Sequence, residues 1–241
     1  MVAKMDRIAD YGNLKDRVVD WIKSYAEKNG IKSLVIGVSG GIDSAVVSTL
    51  CAETGLPVFV LGMPILQTKE QESLSSNHLS WLVKKYANVV AHEIELTALF
   101  HSFCDTLEAH GFGSNNLALA NSRSRLRMVT LYQVAGSTNG IVVGTGNKIE
   151  DYGVGFYTKY GDGGVDIAPI ADLYKTEVWT LGKYLGVDPS IIDAPPTDGL
   201  WDDSRTDEDQ LGATYVELEE AMENASGPAV EILNKFNTLN R

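Results

Sequence analysis

Short apolar runs alternate along this chain with segments of helical period, and that alternation restricts the fold more than any single residue does. Leu14, Val18, Trp21, Ile22 and Tyr25 recur at the spacing of an amphipathic helix that ends near Gly30. Ser33–Val38 (SLVIGV) reads as a buried strand that stops at Gly40-Gly41, followed by a helix over Ala45–Thr54 and a second strand over Pro57–Val60. A helix over Thr68–Tyr86 offers Leu74, Leu79, Leu82 and Val83 as its buried face. A third strand (Asn88–Ile94), a helix (Leu96–His110), a long helix (Leu117–Ser137) and a fourth strand (Ile141–Val143) follow. Helices over Tyr174–Leu185 and Leu211–Glu223 complete the pattern. Strands separated by helices imply an α/β fold, a doubly wound, mainly parallel sheet with helices on both faces. No repeat, low-complexity tract or linker divides the 241 residues, so one domain spanning 1–241 is expected.

In such sheets ligands sit at the carboxyl ends of strands, near the switch in strand order. Two glycine-rich turns, after Val38 and after Val143, are expected there. The first, Gly37-Val38-Ser39-Gly40-Gly41-Ile42-Asp43-Ser44, joins a strand to a helix. Its glycines let the backbone approach a ligand, and the helix N-terminus favours phosphate. Ser39 and Ser44 add hydroxyls, while Asp43 can hold a Mg²⁺ that bridges phosphate oxygens. The plain alternative is a tight turn with Asp43 or Ser44 as N-cap. The loop lacks the lysine of a Walker A motif. It matches the G-x-S-x-G of a nucleophile elbow, but that arrangement needs a histidine late in the chain. His78, His92, His101 and His110 all precede residue 111. No Ser-His or Cys-His dyad is therefore expected.

The formal charge is −12, from 20 Lys plus Arg against 32 Asp plus Glu. That balance argues against nucleic acid, whose non-specific binding depends on basic side chains, and at first sight against any polyphosphate. The acidity is uneven: residues 176–241 hold 14 acidic and 4 basic side chains, while residues 121–175 hold 6 basic and 5 acidic. Asp198–Asp209, with six acids and one arginine, reads as a solvated loop. Cys51 and Cys104 are too few and too scattered for a disulfide framework and read as buried free thiols, which suits a reducing, cytoplasmic setting. Leu56–Leu66, the longest nearly apolar run, is too short to span a bilayer, and Met1–Leu14 has no apolar signal core, so no membrane association is expected.

The string SGGIDS resembles the pyrophosphate-binding SGGxDS signature of the N-type ATP pyrophosphatases, which cleave ATP between the α- and β-phosphates. Downstream segments resemble one member family, the ammonia-dependent NAD synthetases, in the expected order over about residues 14–222. Asn121-Ser122-Arg123-Ser124-Arg125-Leu126-Arg127-Met128 is similar to the family's N-x-x-x-R-x-R-M helix, although from spacing alone three arginines at i, i+2, i+4 read as a solvated basic face. Gly144-Thr145-Gly146-Asn147-Lys148-Ile149-Glu150 is similar to GT-x-x-x-x-E, where a first-turn glutamate is the plainer reading of Glu150. Phe156–Asp166 (FYTKYGDGGVD) is close to F-[FY]-T-K-Y-G-D-G-G-x-D and is the most specific string in the chain. Leu173-Tyr174-Lys175 matches L-x-K, and Pro196-Thr197-Asp198-Gly199-Leu200 matches P-T-x-x-L.

The resemblance implies an adenine nucleotide alpha hydrolase-like fold and the amidation of deamido-NAD to NAD by ammonia and ATP, through an adenylate, with release of AMP and pyrophosphate. It implies ATP contacts at Gly37, Ser39, Gly40, Gly41, Asp43, Ser44, Met63, Thr145, Lys175 and Thr197. It implies deamido-NAD contacts at Arg125, Lys159 and Asp166, and Mg²⁺ on Asp43 and Glu150. Asp43, Glu150, Asp162 and Lys175 are its catalytic set, with Asp162 beside the ammonium and Lys175 at the phosphates. A homodimer is implied as well. The family's His-Lys pair near the C-terminus has no counterpart in Asn234–Arg241. The alternatives are another SGGxDS enzyme, such as a tRNA-modifying adenylase, and a non-catalytic adenine-nucleotide-binding protein.

Overall fold

A computed structural model describes residues 7–197, 199–200 and 205–239. Four parallel strands, β1 (Ser33–Gly37), β2 (Val58–Gly62), β3 (Val89–Glu93) and β4 (Gly140–Val142), lie in the order β3-β2-β1-β4. Leu34 pairs with Val58 on one side and with Ile141 on the other. The chain steps outward from β1 to β3, then returns to the far side of β1, so the switch in strand order falls between β1 and β4. A bridge between Val143 and Ile167 prolongs β4 beyond its last ladder pair.

Strands β1, β2 and β4 are mostly apolar because both faces are covered, while the edge strand β3 (VVAHE) is largely exposed beyond Val89. Leu34, Ile36, Val58, Val60 and Ile141 point to one layer, built from α1 (Tyr11–Lys28), α2 (Ile42–Glu53), α3 (Lys69–Lys85) and, later in the chain, α6 (Lys175–Leu185) and α7 (Pro189–Ile192). Val35, Leu61 and Val142 point to the other, built from α4 (Thr97–Glu108) and α5 (Asn116–Thr138). This period-two division follows from the pleat. Burying each such aliphatic side chain contributes about 1.5–3 kcal/mol. A third cluster gathers Ile149, Val154, Tyr174, Tyr215, Leu218 and Leu233 where α9 (Tyr215–Asn224) and α10 (Val230–Leu239) pack on a π-helical turn, Ile149–Val154.

Several expectations change here. Val83 is 46% exposed, and His78 takes a place on the buried face of α3. Trp21 of the α1 stripe is exposed as well. The expected helix over Leu211–Glu223 is two elements: α8 (Asp207–Leu211) ends at Gly212, and α9 opens on a capping box between Thr214 and Glu217. Asp207 is buried, so the acidic segment is not a solvated loop at its end; Asp198 and residues 201–204 lie outside the described residues. Cys51 is fully buried with its thiol pKa pushed up by burial, while Cys104 is only half-buried. Among the described residues no helix is long and apolar enough to cross a membrane.

Candidate active site

The turn after β1 is fixed by its own side chains. Ser39 N donates to Ser44 Oγ (3.2 Å), Ser44 Oγ donates to the Gly41 carbonyl (2.9 Å), and Gly41 N donates to Ser39 Oγ (3.2 Å). Gly40 has φ +90°, and a Cβ there would lie 3.0 Å from both Leu74 Cβ and the Ser75 nitrogen of α3. Only glycine fits, for its conformation and for the close approach. Ser75 Oγ ties α3 to the Val38 carbonyl (2.7 Å). Met63, buried at the carboxyl end of β2, reaches Gly37 with its methyl group.

Asp43 lies in the first turn of α2 and Glu150 in the π-turn that follows β4. Such turns widen a helix by one residue and recur at functional sites. Lys175, the first residue of α6, brings the two carboxylates to one point: its Nζ lies 2.5 Å from Asp43 Oδ2 and 3.0 Å from Glu150 Oε1. The ammonium is 2% exposed; burial works against its charge, but the Asp43 and Glu150 carboxylates outweigh that and hold its pKa well above the ordinary value. Asn147, fully buried, donates to Asp43 Oδ1 (3.0 Å) and accepts from the backbone of Ile149 and Glu150 (3.0 and 3.1 Å). It thereby sets the π-turn against α2. Glu219 on α9 anchors the start of α6 by accepting from Thr176 N (3.0 Å), Thr176 Oγ1 (2.7 Å) and Arg7 (2.9 Å). Thr145 sits half-buried on the turn after β4.

A second group forms where the Phe156–Asp166 loop lies on α5. Arg125 Nε donates to the Lys159 carbonyl (3.1 Å), Thr158 Oγ1 to Asn121 Oδ1 (2.7 Å) and Ser124 Oγ to Asp162 Oδ1 (2.6 Å). Asp166 accepts from Val142 N (2.8 Å) and the Tyr132 hydroxyl (3.2 Å), fastening the loop to β4. Arg125 and Lys159 stay exposed. The three arginines of α5 are not one solvated face: Arg123 is buried with its Nη1 on the Leu200 carbonyl, and Arg127 donates to the Met63 carbonyl (2.9 Å). The groups meet at Asp151, whose carboxyl lies against Gly146 and is lifted to about 6 by burial and then by the charges of Glu150, Asp162 and Asp43. Thr197 accepts from Gly199 N, and Gly199 abuts Gln67 and Gln71 beside the β1 turn, so this segment crosses toward that turn.

Sequence reasoning missed Asn147, Asp151, Tyr215 and Asp207. Tyr215 donates to Glu150 Oε1 (2.7 Å) across 65 residues, and no local pattern signals such a bond. Its hydroxyl pKa is pushed up by burial and by the Glu150 and Asp207 carboxylates. A Ser-His contact was not expected either, yet Ser48 Oγ and His78 Nε2 are 3.0 Å apart. Both are buried between α2 and α3, and Ser48 is also bonded to the Ala45 carbonyl, so the pair is part of the core.

Asp43 and Glu150 suit a divalent cation. Both are hard oxygen donors, and the structure already gathers them on a single positive charge, the Lys175 ammonium. A doubly wound parallel sheet, a glycine-rich turn at its switch point and a carboxylate pair beside that turn define a nucleotide-binding α/β protein that handles phosphates. The fold is adenine nucleotide alpha hydrolase-like. The chain belongs to the NAD synthase family: the family model described as NAD synthase matches residues 14–239. An NH(3)-dependent NAD(+) synthetase from Alkaliphilus metalliredigens is 39% identical over 219 residues, 88% of this chain and 87% of that protein. Among solved structures, an NMN synthetase from Francisella tularensis superposes with TM-score 0.89 at 32% identity, covering 97% of this chain and 95% of the other. An NH3-dependent NAD synthetase from Campylobacter jejuni superposes with TM-score 0.73 at 27% identity, covering 96% and 93%.

Proposed function

We propose that this chain is a C–N ligase that amidates deamido-NAD to NAD with ammonia, consuming ATP and releasing AMP and pyrophosphate, and that residues 1–241 work as one domain. The observation that carries this reading is the convergence of Asp43 and Glu150, from turns after two adjacent strands, beside the β1 phosphate loop. In the first step the nicotinate carboxylate attacks the α-phosphorus and pyrophosphate leaves. In the second, ammonia attacks the activated carbonyl, AMP leaves with the bonding pair, and the surplus proton passes to solvent. Amidation needs such activation because a carboxylate alone has no adequate leaving group.

Gly37, Ser39, Gly40, Gly41 and Ser44 would cradle the phosphates, Met63 and Thr145 would flank the nucleotide, and Thr197 would close over it. Asp43 and Glu150 would hold Mg²⁺, which when bound supplies charge neutralisation at the phosphates. Lys175 would then turn from the carboxylates to the phosphate oxygens. Arg125, Lys159 and Asp166 would hold deamido-NAD, and Asp162 would keep ammonium beside the activated carbonyl. Positioning and charge neutralisation suffice for transfer at phosphorus, and the reading needs no covalent enzyme intermediate. The acid-poor window 121–175 supplies Arg125, Lys159 and Lys175, so the overall charge of −12 is no bar to ATP. The dimer expectation is supported by Leu117, Val129 and Tyr132, which stand exposed within about 120° of the α5 circumference.

The likeness to an NMN synthetase favours a second reading, amidation of the acid mononucleotide by the same residues. Incubating the chain with ATP, Mg²⁺, ammonium and either acid separates the two readings. AMP, pyrophosphate and NAD should form in equal amounts from deamido-NAD; no amide from either acid refutes both readings. Glutamine in place of ammonium should give little product, and comparable turnover would overturn free ammonia as the donor.

A further inference from the structure

Glu150 Oε1 accepts from two donors of different character. Lys175 Nζ, at 3.0 Å, sits on a flexible stem and is shared with Asp43. The Tyr215 hydroxyl, at 2.7 Å, sits on a ring that is fully buried and stands edge-on to Trp179 with centroids 6.1 Å apart. Tyr215 N is bonded to Glu208 Oε1 (2.9 Å), so backbone and ring are both fixed. The hydroxyl also lies 3.3 Å from Asp207 Oδ2, on the first turn of α8, whose backbone N donates to the Pro196 carbonyl (2.9 Å). Having one proton, the hydroxyl gives it to the nearer acceptor, Glu150. Glu150 Oε2 makes no hydrogen bond among the described residues.

We propose that Tyr215 is a positioning residue that keeps Glu150 aimed at the divalent cation while Lys175 gives way. The proposal rests on the reading that Asp43 and Glu150 hold the metal. The ammonium lies where those two carboxylates converge, and a divalent ion held between the same two carboxylates cannot share that place with it. When Lys175 leaves, Glu150 loses one of its two side-chain donors. A glutamate has three rotatable side-chain bonds, and the freed carboxylate would sample several orientations. The hydroxyl on its rigid ring keeps Oε1 fixed and leaves Oε2 for the ion. Partners that orient a metal-bound carboxylate in this way commonly change metal affinity by 10–100-fold when removed.

The test is direct Mn²⁺ binding, followed by electron paramagnetic resonance, in the presence of α,β-methylene-ATP. Tyr215→Phe keeps the ring on Trp179 and under Lys175 and removes only the hydroxyl. It should weaken Mn²⁺ binding about tenfold, raise the Mg²⁺ needed for half-maximal rate in parallel, and leave the KM for ammonia unchanged. Tyr215→4-aminophenylalanine, which restores a donor at the same place, should recover wild-type Mn²⁺ affinity to within threefold. If the Phe variant does not fold, Tyr215→4-methylphenylalanine fills the hydroxyl's space without donating and takes its place in the comparison. Wild-type Mn²⁺ affinity without the donor, with Asp43→Asn weakened, overturns the role of Tyr215 alone. Unchanged affinity in Asp43→Asn and Glu150→Gln as well overturns the metal assignment and this proposal with it.

Discussion

Lys175 shows how one buried charge is made tolerable. An ammonium 2% exposed would lose its proton without compensation, and two carboxylates within 3.0 Å supply it. Removing either carboxylate charge should therefore disturb the ammonium as well as any bound cation. Asp43→Asn and Glu150→Gln are expected to lower kcat about 10²–10³-fold in the AMP-release assay, and near-normal rates would refute the metal assignment. His78 illustrates the opposite economy, a group kept neutral. Burial depresses its pKa to about 4 from 6.5, so the unfolded chain binds a proton that the folded chain refuses. Its contribution to stability is complete above about pH 6.5 and is lost as pH falls toward 4. His78→Gln should shrink the loss of unfolding free energy between pH 7 and pH 5 by about 2 kcal/mol. Urea titrations at the two pH values measure this; equal losses in both proteins would contradict it.

Elements placed by the local pattern are those whose signal is strong and self-contained. The SLVIGV run, the long periodic segment of α5 and the start of α6 fall within a few residues of their expected limits. The misplaced boundary at α8 and α9 has a local cause, because Gly212 at φ +79° ends one helix before a new cap at Thr214 begins the next. The π-turn carrying Glu150 has no such signature. It forms where Asn147 binds two backbone nitrogens and Asp43 at once, a set of partners that only the assembled sheet brings together. At this scale the turn after β1, the proposed phosphate site, is the point most sensitive to substitution. Gly40→Ala would put a Cβ against α3 in a backbone conformation that L residues rarely adopt. It should cost roughly 1–3 kcal/mol and weaken binding of the methylene analogue, both readable from thermal shift with and without ligand. Unchanged stability and binding would show that the turn relaxes freely.

The whole molecule sorts its charge by place. Excess acid in residues 176–241 is partly absorbed by structure, with Glu219 on the start of α6 and Asp207 beneath the Thr197 segment. Leu117 and Val129 on α5 are 60% and 58% exposed, and the proposed association of two copies would cover them. Val129→Asp should convert a sedimenting species of twice the 26.2 kDa chain mass into the monomer. A wild-type chain that sediments as a monomer at micromolar concentration would sink the dimer.

The α/β alternation and the two glycine-rich turns were legible from the residues alone, whereas Asp43, Glu150 and Lys175 were singled out as a set by the likeness of their motifs to one family. Local periodicity sets the first, and the turns need glycine for a positive φ at Gly40 and for close approach of Val165 and Asp151 at Gly144 and Gly146. Only the folded chain shows that Lys175 sits between the carboxylates, that Arg123 and Arg127 face inward, and that Tyr215 and Asn147 hold Glu150 and Asp43 from distant positions in the chain. A hydrogen bond acts over 3 Å regardless of sequence separation, so a partner 65 residues away leaves no mark on the pattern around either residue.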